Sequence, residues 1–150
     1  MKRLFILLIF PILFTAISCK KEVDYAQIDE DIILQYITDN NLNAQATGSG
    51  LYYVIDNPGN GDTPNINSTV TVAYVGKLTD GTIFDQSGTV PATFPLSGVI
   101  QGWQEGIPLF NEGGSGTLLI PSALGYGNQA VGSIPANSVL IFDVELINVF

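Results

Sequence analysis

The chain has 150 residues, with 14 Asp and Glu against 5 Lys and Arg, no histidine and a formal charge of −9. That length holds one ordinary domain and no second, and an acidic surface of this kind makes nucleic acid a poor partner. With no histidine and a single cysteine, Cys19, His-based catalytic triads and the common zinc sites are excluded too.

Lys2-Arg3 precede the apolar run Leu4 to Phe14, and small residues then lead to Cys19. The run is too short to span a bilayer comfortably, and its charged start and small-residue end are those of a secretory signal covering residues 1–18. Ala16-Ile17-Ser18-Cys19 resembles the lipobox of bacterial lipoproteins, in which the thiol is diacylated and the signal is cut before it; Ala16 stands where leucine is usual. The rival reading is an ordinary signal with an incidental cysteine, and the sole thiol falling where such an anchor needs it favours lipidation. Acyl chains on Cys19 imply a membrane as partner, with the outer membrane of a bacterial envelope favoured and the domain in the periplasm or at the surface. Loss of the signal leaves Lys20, Lys21 and Lys77 against the 14 acids, a charge of −11. One modified cysteine leaves no disulfide, so the core must suffice alone.

After the anchor, Asp24 can cap a helix whose Gln27 reaches back to it. Tyr25, Ile28, Ile32 and Tyr36 then recur at spacings of three and four, predicting one apolar stripe through about Thr38. An isolated helix this short is marginal in water, so docking on the domain is favoured over meeting a partner. Asn40-Asn41 end it, and Ala44 to Gly50 read as a linker, giving a segment 19–49 before a domain over 50–150. From Gly50 short alternating runs divided by Gly, Pro, Asn and Asp argue for an antiparallel sheet. Strands are expected near Leu51 to Ile55, Thr69 to Leu78, Thr82 to Asp85, Thr93 to Leu96, Gly116 to Ile120 and Val139 to Val149. Asp80-Gly81 suits a hairpin turn. Gln101 to Ile107 reads as a short helix, interrupted by Gly102 and held by burial of Trp103. The connection Ser122 to Asn137 is long for a compact domain, a length more often functional than idle.

Other chemistry-bearing patterns are thin. Gly113 to Gly116 precede a strand and lack the usual lysine, so they form a turn and no phosphate cradle. Glu105, Glu112, Asp143 and Glu145 read as a solvated face, not a glycosidase pair. Between Val72 and Phe142, by contrast, Tyr74, Phe84, Asp85, Val99, Ile100, Trp103, Tyr126, Ile134 and Phe142 fall at strand ends and loop starts, where they can wall one apolar pocket. Taken singly each is a core residue as readily as a site residue; the joint order carries the functional reading.

Four blocks set that order: Val72 to Asp85, Val99 to Trp103 with Glu105-Gly106, Ile120-Pro121 with Tyr126-Gly127, and Ile134-Pro135 with Leu140 to Leu146. In wording and spacing, from about Gly50 to Phe150, they resemble the FKBP-type peptidylprolyl isomerase family. The resemblance implies an α+β fold, an FKBP-like twisted antiparallel half-barrel wrapped around one short helix, with an N-terminal helix before it. It implies a peptidylprolyl cis/trans isomerase assisting the folding of exported proteins, with proline-containing polypeptides as substrates, macrolides as inhibitors, no cofactor and no metal, and a monomer is expected. Carried over by position, Tyr74, Phe84, Asp85, Tyr126 and Phe142 are the catalytic set. Val99, Ile100, Trp103 and Ile134 bind substrate, with Trp103 as the floor under the prolyl ring.

The chain departs from the family pattern in three respects. Ala92 stands where many relatives place an aromatic wall, Gly88-Thr89 supply no arginine for Asp85, and Ala130 and Ser133 replace bulkier residues of the overhanging loop. A shallower pocket and a weaker catalyst follow from these. The alternative function is a non-catalytic chaperone or envelope-complex lipoprotein that grips proline segments in the same pocket. A glycan-binding surface lipoprotein would need an exposed aromatic platform.

Overall fold

Strand β3 (Thr69–Lys77) fully buries Val70 and Val72 and turns Thr69, Thr71 and Ala73 to its other side, the period-two alternation of a pleated strand. The computed structural model describes residues 23–150; the expected signal segment 1–18 and the expected lipidation site Cys19 lie outside the described residues. Around β3 stand β1 (Gln45–Ala46), β2 (Tyr52–Asn57), β4 (Ile83–Gln86), β5 (Ala92–Pro95), β6 (Ser115–Ile120) and β7 (Leu140–Val149), with helices α1 (Tyr25–Asp39) and α2 (Gln101–Gly106). The sheet is antiparallel in the order β1-β2-β6-β7-β3-β4, and β5 also pairs with β3. The fold is α+β, as expected, and the strand bounds fall within two residues of those read from the alternation.

The two partners on one edge of β3 matter for the site. Thr69 to Val72 pair with β5, Val75 to Lys77 pair with β4, and Tyr74 sits in the gap between them. Ser87 satisfies the backbone there, its hydroxyl accepting from the Tyr74 N–H at 3.0 Å and its own N–H donating to the Tyr74 carbonyl at 3.0 Å.

Apolar side chains pack on both faces. Leu118, Ile120, Leu140, Phe142, Val144 and Leu146 join Val70, Val72, Trp103 and Phe110 in the main core. Leu119, Val139 and Ile141 point the other way and are covered by Ile33 of α1. Double coverage explains why Leu118 to Ile120 and Leu140 to Phe142 are uninterrupted apolar runs. α2 lies on the main-core face, where Gly102 and Gly106 let it approach Ile120 and Leu118 so closely that a Cβ at either would collide with them.

Three readings of the N-terminal part need correction. α1 is capped by Asp24, whose carboxylate accepts from the Gln27 N–H at 3.4 Å, but the Gln27 side chain turns to Asp31 at 2.9 Å instead of reaching back. Of the stripe Tyr25, Ile28, Ile32 and Tyr36 only Tyr36 docks: the first three side chains are 37 to 43% exposed, and the fully covered positions of the helix are Asp29 and Ile33, with Tyr36 and Ile37 packed beside Ile33. The docking face is rotated because its centre is a carboxylate, which hydrophobic periodicity cannot register. The expected linker also contains β1, which pairs with β2 and extends the sheet before Gly50.

Candidate active site

At the gap in β3 the Tyr74 ring leans over Trp103, with ring centroids 5.1 Å apart and planes at 89°. Phe142, from β7, and Phe94, from β5, meet the same indole edge-on at 5.3 and 5.8 Å. Edge-to-face contacts of this kind are the favoured geometry for aromatic quadrupoles, so three strands hold an indole supplied by α2. Above it opens a cavity of about 310 Å³ lined by Tyr74, Asp85, Phe94, Val99, Ile100, Trp103, Tyr126 and Phe142, with Gly98 at its rim. Trp103 is 4% exposed and Phe142 5%, so the floor is dry, whereas Tyr126 is 37% exposed at the mouth.

Seven of the nine residues singled out in the sequence thus meet around one cavity. Phe84 stands behind it, edge-on against Phe142 at 5.4 Å and 82°. Ile134 is buried in the main core, inside a tight turn closed by reciprocal backbone bonds with Val131 at 2.9 and 3.0 Å. Neither lines the cavity; Phe84 props a wall and Ile134 anchors the overhanging loop. A nearby hollow of about 340 Å³, lined by Asp56, Asp143 and Glu145 besides Ala73, Val75 and Thr117, has the carboxylates of a solvated face and no indole floor.

Phe94 escaped the sequence reading, which fixed on Ala92 as a missing wall. Both lie on the same side of β5, and Phe94, two residues further along, also contacts Tyr74 at 6.1 Å. Period-two alternation from Ala92 was the signal that could have found it. Gln104 was missed as well: its side-chain amide donates to the Val99 carbonyl at 2.8 Å, fixing the turn that enters α2. The Ile100 carbonyl accepts the N–H groups of Trp103 and Gln104 at 3.0 and 3.1 Å. At a helix entry the first N–H groups have no partner within the helix, which leaves the Ile100 N–H available at the cavity wall.

Asp85 is the one carboxylate lining the cavity. Its Oδ2 accepts from the Tyr74 hydroxyl at 2.8 Å and its Oδ1 from the Gln86 N–H at 2.9 Å. Burial, and then the bond to the Asp85 carboxylate, push the Tyr74 phenol up to about 12, so Tyr74 is a neutral donor at any physiological pH. Lys77, the only basic side chain among the described residues, is engaged with Asp143 at 2.6 Å. Among the described residues no cation therefore neutralises Asp85, in line with the absence of an arginine at Gly88-Thr89.

An antiparallel half-barrel whose face holds an aromatic, largely uncharged cradle over a short helix is a binding fold for a compact apolar group. The chain belongs to the FKBP-type peptidyl-prolyl cis-trans isomerase family, whose profile matches residues 61–147. It is similar to the FKBP-type peptidyl-prolyl cis-trans isomerase FkpA of Aeromonas hydrophila, 50% identical over 105 residues, which are 69% of this chain and 39% of that one. The crystal structure of FkpA from Escherichia coli superposes with a TM-score of 0.75 at 39% identity, covering 84% of this chain and 61% of that one. A Pseudomonas syringae peptidyl-prolyl cis-trans isomerase does so with a TM-score of 0.74 at 33% identity, covering 83% and 92%. The chain spans about two fifths of the length of the curated relatives it matches.

Proposed function

We propose that the chain is a peptidylprolyl cis/trans isomerase acting on proline-containing segments of exported polypeptides. The carrying observation is the convergence of Tyr74, Phe94, Trp103 and Phe142 on one dry cavity of about 310 Å³, room for a pyrrolidine ring and the bond before it. Family membership and the relatives named isomerases support the same reading.

The chemistry follows from the amide. Rotation about a peptide bond sacrifices resonance, and a barrier of about 20 kcal/mol permits only about 10⁻² turns per second; for X-Pro bonds that delay can limit folding. At the twisted geometry the carbonyl oxygen and nitrogen are less charge-separated than in the planar amide. A water-excluding aromatic wall therefore destabilises the ground state more than the transition state. Trp103 floors the prolyl ring, and Tyr74, Phe94, Val99, Ile100 and Phe142 wall it. The Ile100 N–H and the Tyr126 hydroxyl hold substrate carbonyls while the bond turns. Asp85 fixes the Tyr74 ring through its hydroxyl. The steps need no nucleophile and no metal.

Lipid anchoring at Cys19 places the domain in the bacterial cell envelope, in the periplasm or at the surface, where newly exported chains with slow X-Pro bonds are the natural clients. The support for anchoring is the lipobox-like sequence Ala16-Ile17-Ser18-Cys19; among the described residues no helix is long and apolar enough to cross a membrane. Purified residues 20–150 should accelerate isomerisation of a short X-Pro peptide, and Trp103→Leu or Phe142→Ala should each lower that rate at least about tenfold. A wild-type rate equal to buffer, with the peptide still bound, would replace the enzyme by a proline-gripping chaperone. A macrolide that occupies the cavity should compete with the peptide in either case.

A further inference from the structure

Asp29 lies on α1, the helix on the opposite face of the sheet from the cavity, and it is 1% exposed. Burying a carboxylate costs several kcal/mol unless hydrogen bonds replace its water, and a leucine here would simply have widened the apolar patch around Ile33. Asp29 instead points its Oδ2 at Ser122, accepting from the backbone N–H at 2.8 Å and from the hydroxyl at 2.6 Å; its Oδ1 has no partner among the described residues. Ser122, itself 3% exposed, opens the 3₁₀ turn Ser122–Leu124 at the end of β6, where the chain passes round to the cavity side.

From Ser122 the bonds lead directly to the cavity. Its carbonyl accepts the Gly125 N–H at 3.0 Å and the Gly127 N–H at 2.8 Å, and Gly127 in turn accepts the Asn137 N–H at 2.8 Å, closing the base of the overhanging loop. Tyr126 is the residue between those two glycines. Gly127 has φ +60°, a conformation that L side chains rarely adopt, and glycine on both sides leaves backbone freedom that these bonds restrict, together with the Gln129 N–H donating to the Tyr126 carbonyl at 3.3 Å. Tyr126 is packed less tightly than the floor of the cavity, at 37% exposed, whereas Trp103 and Phe142 are clamped by their aromatic neighbours.

We propose that Asp29 is a positioning residue for Tyr126: its carboxylate fixes Ser122, and Ser122 fixes the turn that aims the Tyr126 ring and hydroxyl over the cavity. The proposal rests on the isomerase reading for its effect on rate, but not for its effect on the loop. Helix α1 is then a part of the active site's framework, although none of its side chains lines the cavity.

The test compares residues 20–150 as wild type, Asp29→Ala, Tyr126→Phe and the double variant on a short X-Pro peptide. Asp29→Ala and Tyr126→Phe are each expected to lower kcat/KM about tenfold, and the double variant to be no worse than Tyr126→Phe alone within about twofold, the non-additivity of groups that act as one unit. Full activity of Asp29→Ala, or losses that multiply in the double variant, would overturn the proposal. As a second variant that keeps the shape and the burial but removes the acceptor, Asp29→Leu is measured by amide hydrogen exchange. Gly125 and Gly127 should exchange at least about tenfold faster, with Leu118 and Phe142 unchanged; unchanged glycines overturn the proposal. An inactive wild type with the glycine amides still responding to Asp29→Leu would refute the isomerase reading and leave the Asp29 anchor standing.

Discussion

Gly76 lies in β3 opposite Phe142 of β7 and Asp85 of β4, at the point where the β4 register slips. A Cβ there would lie 2.7 Å from Phe142 Cε1 and 2.7 Å from Phe84 Cε2. Carbon pairs rest about 3.5 to 4.0 Å apart, so Gly76→Ala must drive both rings back by roughly 1 Å. Overpacking of this size costs about 1 to 3 kcal/mol, offset by about 0.4 to 1 kcal/mol from the stiffer unfolded chain. The net loss of about 1 to 2 kcal/mol corresponds to a Tm drop of roughly 3 to 10 °C, and the variant folds. Activity should suffer far more, since a misplacement of about 1 Å at a reacting site costs on the order of a hundredfold. Gly106→Ala is the control. Its Cβ would meet Leu118 Cδ1 and Cδ2 at 2.7 Å, a comparable intrusion that touches no cavity residue. Thermal melts and kcat/KM on an X-Pro peptide read the two effects separately. Similar melts with activity lost only in Gly76→Ala are expected; Gly76→Ala at full activity would show that the Phe84 and Phe142 rings do not set the geometry that matters.

Tyr74 has its phenol raised from 10.0 to about 12, so the stability it contributes is fully present below pH 10 and is lost as pH rises toward 12. Urea midpoints at pH about 9 and about 11.5 should fall further for wild type than for Tyr74→Phe, and parallel falls would refute the assigned environment. Ile33→Ala removes the one fully buried apolar side chain of α1 from its seat on Leu119, Val139 and Ile141 and should cost about 2 to 4 kcal/mol in urea unfolding; a loss under about 0.5 kcal/mol would mean that the helix does not pack as described.

What could be read from the chain and what could not divide along one physical line. The strands were legible because alternation is local: Val70, Val72 and Tyr74 face inward whatever lies opposite. The cavity was legible because its walls stand where pairing is interrupted, and the residues that fill such gaps keep a recognisable order. Phe94 was within reach of the same rule and was lost by looking for the wall at one position instead of along one face. β1 was not legible, since two exposed residues, Gln45 and Ala46, are too few to show alternation and pair with Tyr53 and Tyr52 only because β2 is already in place. Least legible of all was the seat of α1. Its stripe of Tyr25, Ile28 and Ile32 carries the stronger periodic signal, yet the helix docks through Ile33 and a carboxylate whose partner is 93 positions away. Hydrophobic patterns count apolar atoms and score a buried aspartate as solvent-facing, so a contact whose stability depends on donors from a distant turn is invisible to them. Such a contact contributes little to folding that a leucine could not match, and its presence beneath the Tyr126 loop is better explained by where it holds that loop than by how much it stabilises the helix.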